Sequence, residues 1–249
     1  ENKKKKRNNP KKGMTKRERQ QNAKRDRQQE IERLQEIKRM KVRARRFRND
    51  SIHVDKPYRY FCICDFEATC NSEGLWYPDY ENEIIEFPVV LLEVVNGQGR
   101  IVDEFHTFVR PNKNVTLTKF CVQFTGIRQE QVEVAPTLAE ALGMFEEWRT
   151  EKGLKYVEKD SNFLFVTDGV WDLRFLSLGC ERAGIEIPAY LDVYCNIKTT
   201  FKEATNPRNY QQCQIPQMLK RLGIRAVGRR HSGIDDSRDI ANIALKLIH

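Results

Sequence analysis

Apolar and polar positions change their pattern twice along the chain. Residues 1–50 carry scattered apolar side chains among a run of cations, and no period in them could build a core face. From Tyr58 onward apolar runs recur. "YRYFCICDFE", "EIIEFPVVLLEVV" and "RIVDEFHTFVR" are short and rich in β-branched and aromatic residues, and predict three strands. Asn96-Gly97, between the second and third, is a hairpin-turn pair, so those strands should be antiparallel neighbours. No helix follows "NGQG", which excludes a dinucleotide-binding loop. "PTLAEALGMFEEWRTEK" switches to a helical period at Leu138, Leu142, Phe145 and Trp148. "NFLFVTD" predicts a further strand and "WDLRFLSLGCERAG" the helix after it; "IDDSRDIANIALKLI" predicts a last helix. Three antiparallel strands followed by helix, strand and helix predict a mixed α/β sheet flanked by helices.

Charge divides the chain where the pattern does. The net charge of +9 resolves into +14 over residues 1–50 and −5 over residues 51–249. This predicts a basic extension, 1–50, and a folded domain, 56–249. "KKKKRNNPKKG" reads as disordered. Beyond it, Thr15 and Glu18 have capping-box spacing, and the stretch to Asp50 lacks Gly and Pro, predicting a long basic helix. Its thin apolar stripe (Ile31, Leu34, Ile37, Met40) leaves several readings open. The segment is a solvated linker helix or a nuclear-import signal in "KKKKR", a docking face for a partner helix, or a contact for phosphate backbones; clustered cations favour the last. Seven cysteines, odd in number and without CxxC or Cys/His ligand spacing, predict reduced thiols rather than disulfides or zinc. No apolar run is long enough to cross a bilayer and no signal-peptide pattern opens the chain, so the expectation is an intracellular protein of cytoplasm or nucleus, nucleolus included, with no membrane partner.

The chemistry lies in the acids. Asp65 and Glu67 stand at the end of the apolar first strand and, two apart, share one face. Asp168 and Asp172 follow the strand "NFLFVTD". Phe175, Leu176, Gly179, Cys180 and Ala183 stand three to eleven residues after Asp172, so Asp172 is expected on the inward face of its helix. Ile240, Ile243 and Leu247 place Asp236 inward in the same way. Asp235 aligns instead with Arg238, Asp239, Asn242 and Lys246, the expected wet face. Four inward carboxylates repel one another and lose hydration, which divalent ions would compensate. Oxygen donors favour Mg²⁺ or Mn²⁺ over zinc. A single such acid would read as a helix cap or surface ion pair. Among the four histidines, only His231 stands on a glycine-containing loop feeding one of these acids. Its two readings are a general base and an ordinary loop histidine.

"DFEAT", "TDGVWD" and "HSGIDDS" resemble the three exonuclease motifs of the DEDDh 3′–5′ exonucleases, which have an RNase H-like fold. "DFEATC", "EIIEFPVVLL" and "TDGVWD" are most similar to the enhanced-RNAi (Eri) and histone-mRNA 3′ exonuclease subgroup. The resemblance covers about residues 56–249. It implies that Asp65, Glu67, Asp172 and Asp236 hold two Mg²⁺ or Mn²⁺ ions, that Glu67 and His231 are catalytic with His231 as base, and that "FTGI" (124–127), Thr125 included, belongs to the substrate pocket. Phe66, Ala68 and Trp171 are further candidates for lining the terminal nucleotide's pocket. Asp168 stands where many relatives have Asn, a variation the subgroup tolerates. The implied activity is two-metal hydrolysis of RNA 3′ ends to 5′-mononucleotides. Small RNA, histone mRNA and rRNA are the candidate substrates, and RNA-silencing or ribosomal proteins are candidate partners of the basic helix. The alternatives are a DNA-directed exonuclease of the same fold and a silent RNA-binding scaffold. The subgroup commonly carries a SAP nucleic-acid module upstream; here the basic segment precedes residue 56.

Overall fold

The structure, a computed structural model, describes residues 58–72, 81–156, 161–206 and 213–248, together with Lys24 and Arg27. The chain divides into two compact units, Glu1–Arg43 and Ala44–His249. Of the expected basic extension only Lys24 and Arg27 are described; both are helical and exposed, and the apolar stripe lies outside the described residues.

Within the second unit, six strands form one mixed sheet: β1 (Tyr60–Ile63), β2 (Glu67–Ala68), β3 (Ile84–Val95), β4 (Gln98–Phe108), β5 (Phe163–Thr167) and β6 (Tyr194–Asn196). β1, β2 and β4 pair antiparallel with β3, whereas β5 runs parallel to β1 and β6 parallel to β5. The β3–β4 hairpin turns on Asn96 and Gly97 at φ of 51° and 74°, the left-handed pair that a two-residue turn requires. The helices are α1 (Lys119–Thr125), α2 (Gln129–Glu133), α3 (Leu138–Glu151), α4 (Trp171–Ala183), α5 (Ile197–Thr205), α6 (Ile215–Leu222) and α7 (Gly233–Ile248). The expected strands and three expected helices are present. α1, α2, α5, α6 and β6 are short elements not read from the sequence, although Ile215, Met218, Leu219 and Leu222 of α6 stand at helical spacing.

Alternation along β3 builds the layers. Phe87, Val89 and Leu91 face a core shared with α3 and α4, while Val90 and Leu92 face one shared with α5, α6 and α7. The first core is aromatic: Phe145 of α3 lies 5.3 Å from Phe87, 5.5 Å from Phe105 and 5.7 Å from Phe165 between ring centroids. Truncating so enclosed a ring to Ala costs about 3–5 kcal/mol. α3 starts on a capping box, with Thr137 accepting from the Glu140 amide and Glu140 accepting from the Thr137 amide.

The first expected strand does not run unbroken to Glu67. Its register on β3 pairs Ile63 with Val90 and Glu67 with Glu86, which sets Asp65 opposite Pro88. Proline has no N–H to donate, so the ladder opens there. Asp65 uses its own amide elsewhere, donating to Ser237 Oγ on α7 at 3.0 Å. A break in the sheet thus coincides with the first candidate acid.

Candidate active site

The acids converge at the break. α4 starts immediately after β5, so Asp172 in its first turn is carried back beneath β1. It is buried, and its Oδ1 accepts the Phe66 amide at 2.8 Å. α7 is tied to the same place by the Asp65–Ser237 bond. Asp236 is buried as well; one oxygen accepts the His231 amide at 2.9 Å and the other pairs with Arg230. The inward faces read from the two helices hold for both aspartates. Ala183 departs from the stripe and is exposed at the end of α4.

The ligand atoms sort into two groups, each with all its atoms within 4.8 Å of one another: Asp65, Asp168 and Asp172 in one, Glu67, His231 and Asp236 in the other. Asp65 and Glu67, expected side by side on one strand, fall in different groups, while Glu67 still stands near enough to help raise the pKa of Asp65. The electrostatics match the crowding. Burial, with Asp168 next, pushes Asp172 up to about 7, and burial pushes Asp236 up to about 6 against the pull of Arg230. Asp65 and Glu67 are also raised well above the carboxylate range, by burial first and then by neighbouring acids.

A divalent ion fits this donor set. Each group gathers at least two carboxylates, with Asp172 buried in one and Glu67 and Asp236 in the other; Lys198 pairs with Asp168 and Arg230 with Asp236. The two acid clusters suit divalent metal ions.

His231 sits on the loop before α7 in the left-handed region, at φ of 60°, a conformation uncommon for a residue with a side chain. Its ring stacks on Phe124 with centroids 3.9 Å apart, and Phe124 stacks on Phe120 at 5.5 Å. Burial, with Arg230 and Arg229 nearby, holds its pKa below the usual histidine value. Arg229 anchors the loop to α1 by donating to the Gln123 carbonyl at 2.6 Å. Its guanidinium passes so close to Gly126 that a Cβ there would clash with Arg229. The glycine of "FTGI" therefore makes room for the anchor of the histidine loop.

The expected pocket residues are placed unequally. Trp171 is exposed at the first turn of α4, with the Arg174 guanidinium 4.6 Å from its ring centroid. Phe66 is turned into the core against Phe87, 4.9 Å away, and Ala68 is buried. Thr125 is buried too; its Oγ1 donates to the Cys121 carbonyl and accepts the Ile127 amide. An apolar strand flank and a helix end carry these three side chains inward.

Two acids differ from the sequence expectation. Asp239, assigned to the wet face with Asp235, is buried and accepts the Val227 amide at 2.8 Å. Asp235 is half-buried, accepting the Arg229 amide at 3.0 Å and pairing with Arg238. The loop folds back over this side of α7 and covers it. Glu86 went unnoticed in the sequence: a buried acid on β3, it accepts the Gly233 and Ile234 amides and meets His106 Nε2 at 2.9 Å. A charged residue within "EIIEFPVV" was the available signal. The seven cysteines are free thiols, all buried except the half-buried Cys195. Among the described residues no helix is long and apolar enough to cross a membrane.

Comparison with known proteins agrees with this geometry. Residues 62–244 match the Exonuclease family RNase_T. The rat protein named 3′-5′ exoribonuclease 1 is 38% identical over 203 residues, covering 80% of this chain and 56% of the relative. The chain thus spans about half the length of the curated relatives it matches. Among solved structures, the nuclease domain of 3′hExo, a DEDDh family member bound to rAMP, is similar with a TM-score of 0.70 at 36% identity, over 77% of this chain and 92% of that domain. A 3′-exonuclease solved in its 3′-end-specific recognition of histone mRNA stem-loop is similar with the same TM-score and identity, over 77% and 82%.

Proposed function

The chain belongs to the RNase_T exonuclease family, and from that premise we propose that it is a metal-dependent 3′–5′ exoribonuclease that releases 5′-mononucleotides from RNA. One observation carries the reading: Asp65, Glu67, Asp172, Asp236 and His231, drawn from three distant stretches of sequence, meet in two adjoining groups at the break in β1. Asp65, Glu67, Asp172 and Asp236 would hold two Mg²⁺ or Mn²⁺ ions, which supply neutralisation of phosphate charge and polarisation of water. His231 takes the proton of the attacking water. Its lowered pKa keeps the ring neutral, and so able to accept, at pH 7. Phe124 fixes the plane of that ring, and the His231 amide bond to Asp236 ties base and ligand together. Trp171 offers its exposed ring to the terminal base, while Phe66, Ala68 and Thr125 hold the backbone beneath it.

RNA is favoured over DNA because the similar protein from rat is named an exoribonuclease and a similar solved structure recognises an mRNA stem-loop. Residues 1–50, at +14, supply the long-range attraction for a polyanion that the −5 remainder lacks. A protein partner of RNA silencing or of the ribosome would bind through the same segment, in cytoplasm or nucleus. The test is turnover of 3′-end-labelled RNA and of the matching DNA with Mg²⁺, Mn²⁺ or EDTA. Release of 5′-mononucleotides from RNA, abolished by EDTA, supports the reading. Preference for DNA, or binding without turnover, overturns it.

A further inference from the structure

We propose that the cleft beside Asp168, which Lys198 and Lys202 line, holds the strand left behind after each cut: the sugar-phosphate backbone of single-stranded RNA just upstream of the scissile bond. The assignment rests on the exonuclease reading above and adds a subsite to it. The cleft measures about 410 Å³, within the range of small-ligand sites. Asp168 belongs both to its wall and to the Asp65–Asp168–Asp172 group, so the cleft opens directly from one side of the acidic site. Trp171, the ring assigned to the terminal base, lines it as well, so the cleft begins where the terminal nucleotide ends.

In-line displacement decides which part of the substrate lies there. The water oxygen bonds to phosphorus as its proton passes to His231. On the opposite side the P–O3′ bond breaks, its electron pair stays on O3′, and O3′ then takes a proton from solvent. His231 belongs to the group with Glu67 and Asp236, which marks the side of attack. The departing O3′ therefore lies towards Asp65, Asp168 and Asp172. That oxygen belongs to the retained strand, whose next phosphate must continue past Asp168, and the space past Asp168 is this cleft.

The charges suit a phosphate. Lys198 Nζ lies 2.9 Å from Asp168 Oδ1 and offsets its charge on the cleft side. Lys202 follows one turn later on the same face of α5, exposed and without an ion pair among the described residues. A phosphodiester entering here meets an ammonium free to bind it, with a paired carboxylate behind.

The test compares Lys202→Ala and Lys202→Glu with wild type on an RNA tetranucleotide and on a nitrophenyl ester of a single 5′-nucleotide, which has no upstream phosphate. We expect Lys202→Ala to raise KM for the tetranucleotide about five- to tenfold, with a deficit on the ester at least fivefold smaller. Lys202→Glu should widen the gap. Binding of a 5′-fluorescent tetranucleotide in EDTA, followed by anisotropy against salt, should show a log–log slope shallower by about 0.7, the share of one single-strand phosphate. Lys246→Ala, exposed on α7, serves as the control and should change neither quantity. Equal deficits on both substrates, or no deficit and an unchanged slope, overturn the cleft assignment while leaving the exonuclease reading intact. If wild type turns over neither substrate, the exonuclease reading fails, and the salt slope alone decides whether the cleft binds backbone phosphate.

Discussion

Glu86, a carboxylate inside an apolar strand, accepts the amide of Gly233 at 2.9 Å and so fixes where α7 begins. The next amide, Ile234, bonds to its other oxygen at 3.1 Å. An anion here is favoured twice, by the unpaired amides and by the positive end of the helix. Because α7 carries Asp236, and the loop before it carries His231, this bond sets the distance between helix and sheet across the site.

Gly233 allows that approach. A Cβ on it would stand 2.6 Å from the Asp65 carbonyl oxygen and 3.1 Å from Glu86 Oε2. Replacing Gly by Ala at a compatible position gains about 0.4–1 kcal/mol, whereas overpacking against backbone costs about 1–3 kcal/mol. Overpacking wins. Gly233→Ala should lower the melting temperature by several degrees and reduce nuclease turnover further than the stability loss explains. A variant as stable and active as wild type would show that α7 is free to shift.

The four acids should be needed for turnover yet harm the metal-free fold. Asp65→Asn, Glu67→Gln, Asp172→Asn and Asp236→Asn are each expected to abolish activity. Asp172 is the cleanest case, because Asn keeps an acceptor for the Phe66 amide. Its folded pKa of about 7 lies above the unfolded value, so its stability contribution is complete below about pH 4 and lost as pH rises through 7. The penalty at pH 8 is on the order of 4 kcal/mol before structural relaxation. In EDTA at pH 8, Asp172→Asn should therefore melt higher than wild type, with the gap closing towards pH 4. Asp235→Asn, which weakens the Arg229 and Arg238 interactions, should melt lower. Mg²⁺ or Mn²⁺ should raise the wild-type midpoint by mass action and raise that of Asp172→Asn less. A flat response of wild type to both ions would exclude binding at these carboxylates.

His231 should set the lower limb of the pH–rate profile. With its pKa below the usual histidine value, the neutral ring accumulates before pH 6.5. Turnover at saturating Mg²⁺ should rise through that lowered pKa and be level above it. His231→Asn is the informative variant, since Asn tolerates the left-handed backbone that His231 adopts. It should lose about 10²–10⁴-fold in rate together with the limb. Retention of both would assign the proton to another acceptor.

Deleting residues 1–50 should weaken RNA binding and flatten its salt dependence by roughly 0.7–0.9 for each phosphate that the segment neutralises. Turnover of saturating short RNA should change little, because every acid of the site lies beyond residue 60. An unchanged salt slope would remove this segment from RNA binding and leave protein docking as its role.

Local pattern was enough to place the long strands, which read as continuous apolar runs because β3 and β5 are buried on both faces, and α3, α4 and α7, whose buried face repeats every 3.6 residues. The same arithmetic turned Asp172 and Asp236 inward. Which group stands across from each inward residue emerged only in the folded chain. Asp65 and Glu67 fall into different groups because Asp168 and Asp172 meet the one, and His231 and Asp236 the other, only in the folded chain. Asp168 finds Lys198 thirty residues later in the chain. Asp239 looked wet until the Val227 loop closed over it, and Glu86, unnoticed in the sequence, gained its role only when Gly233 arrived from the far end of the domain. Period reports which face a side chain takes, since neighbouring peptide units fix it. The partner on that face is set by packing between segments distant in sequence, and no local repeat records it.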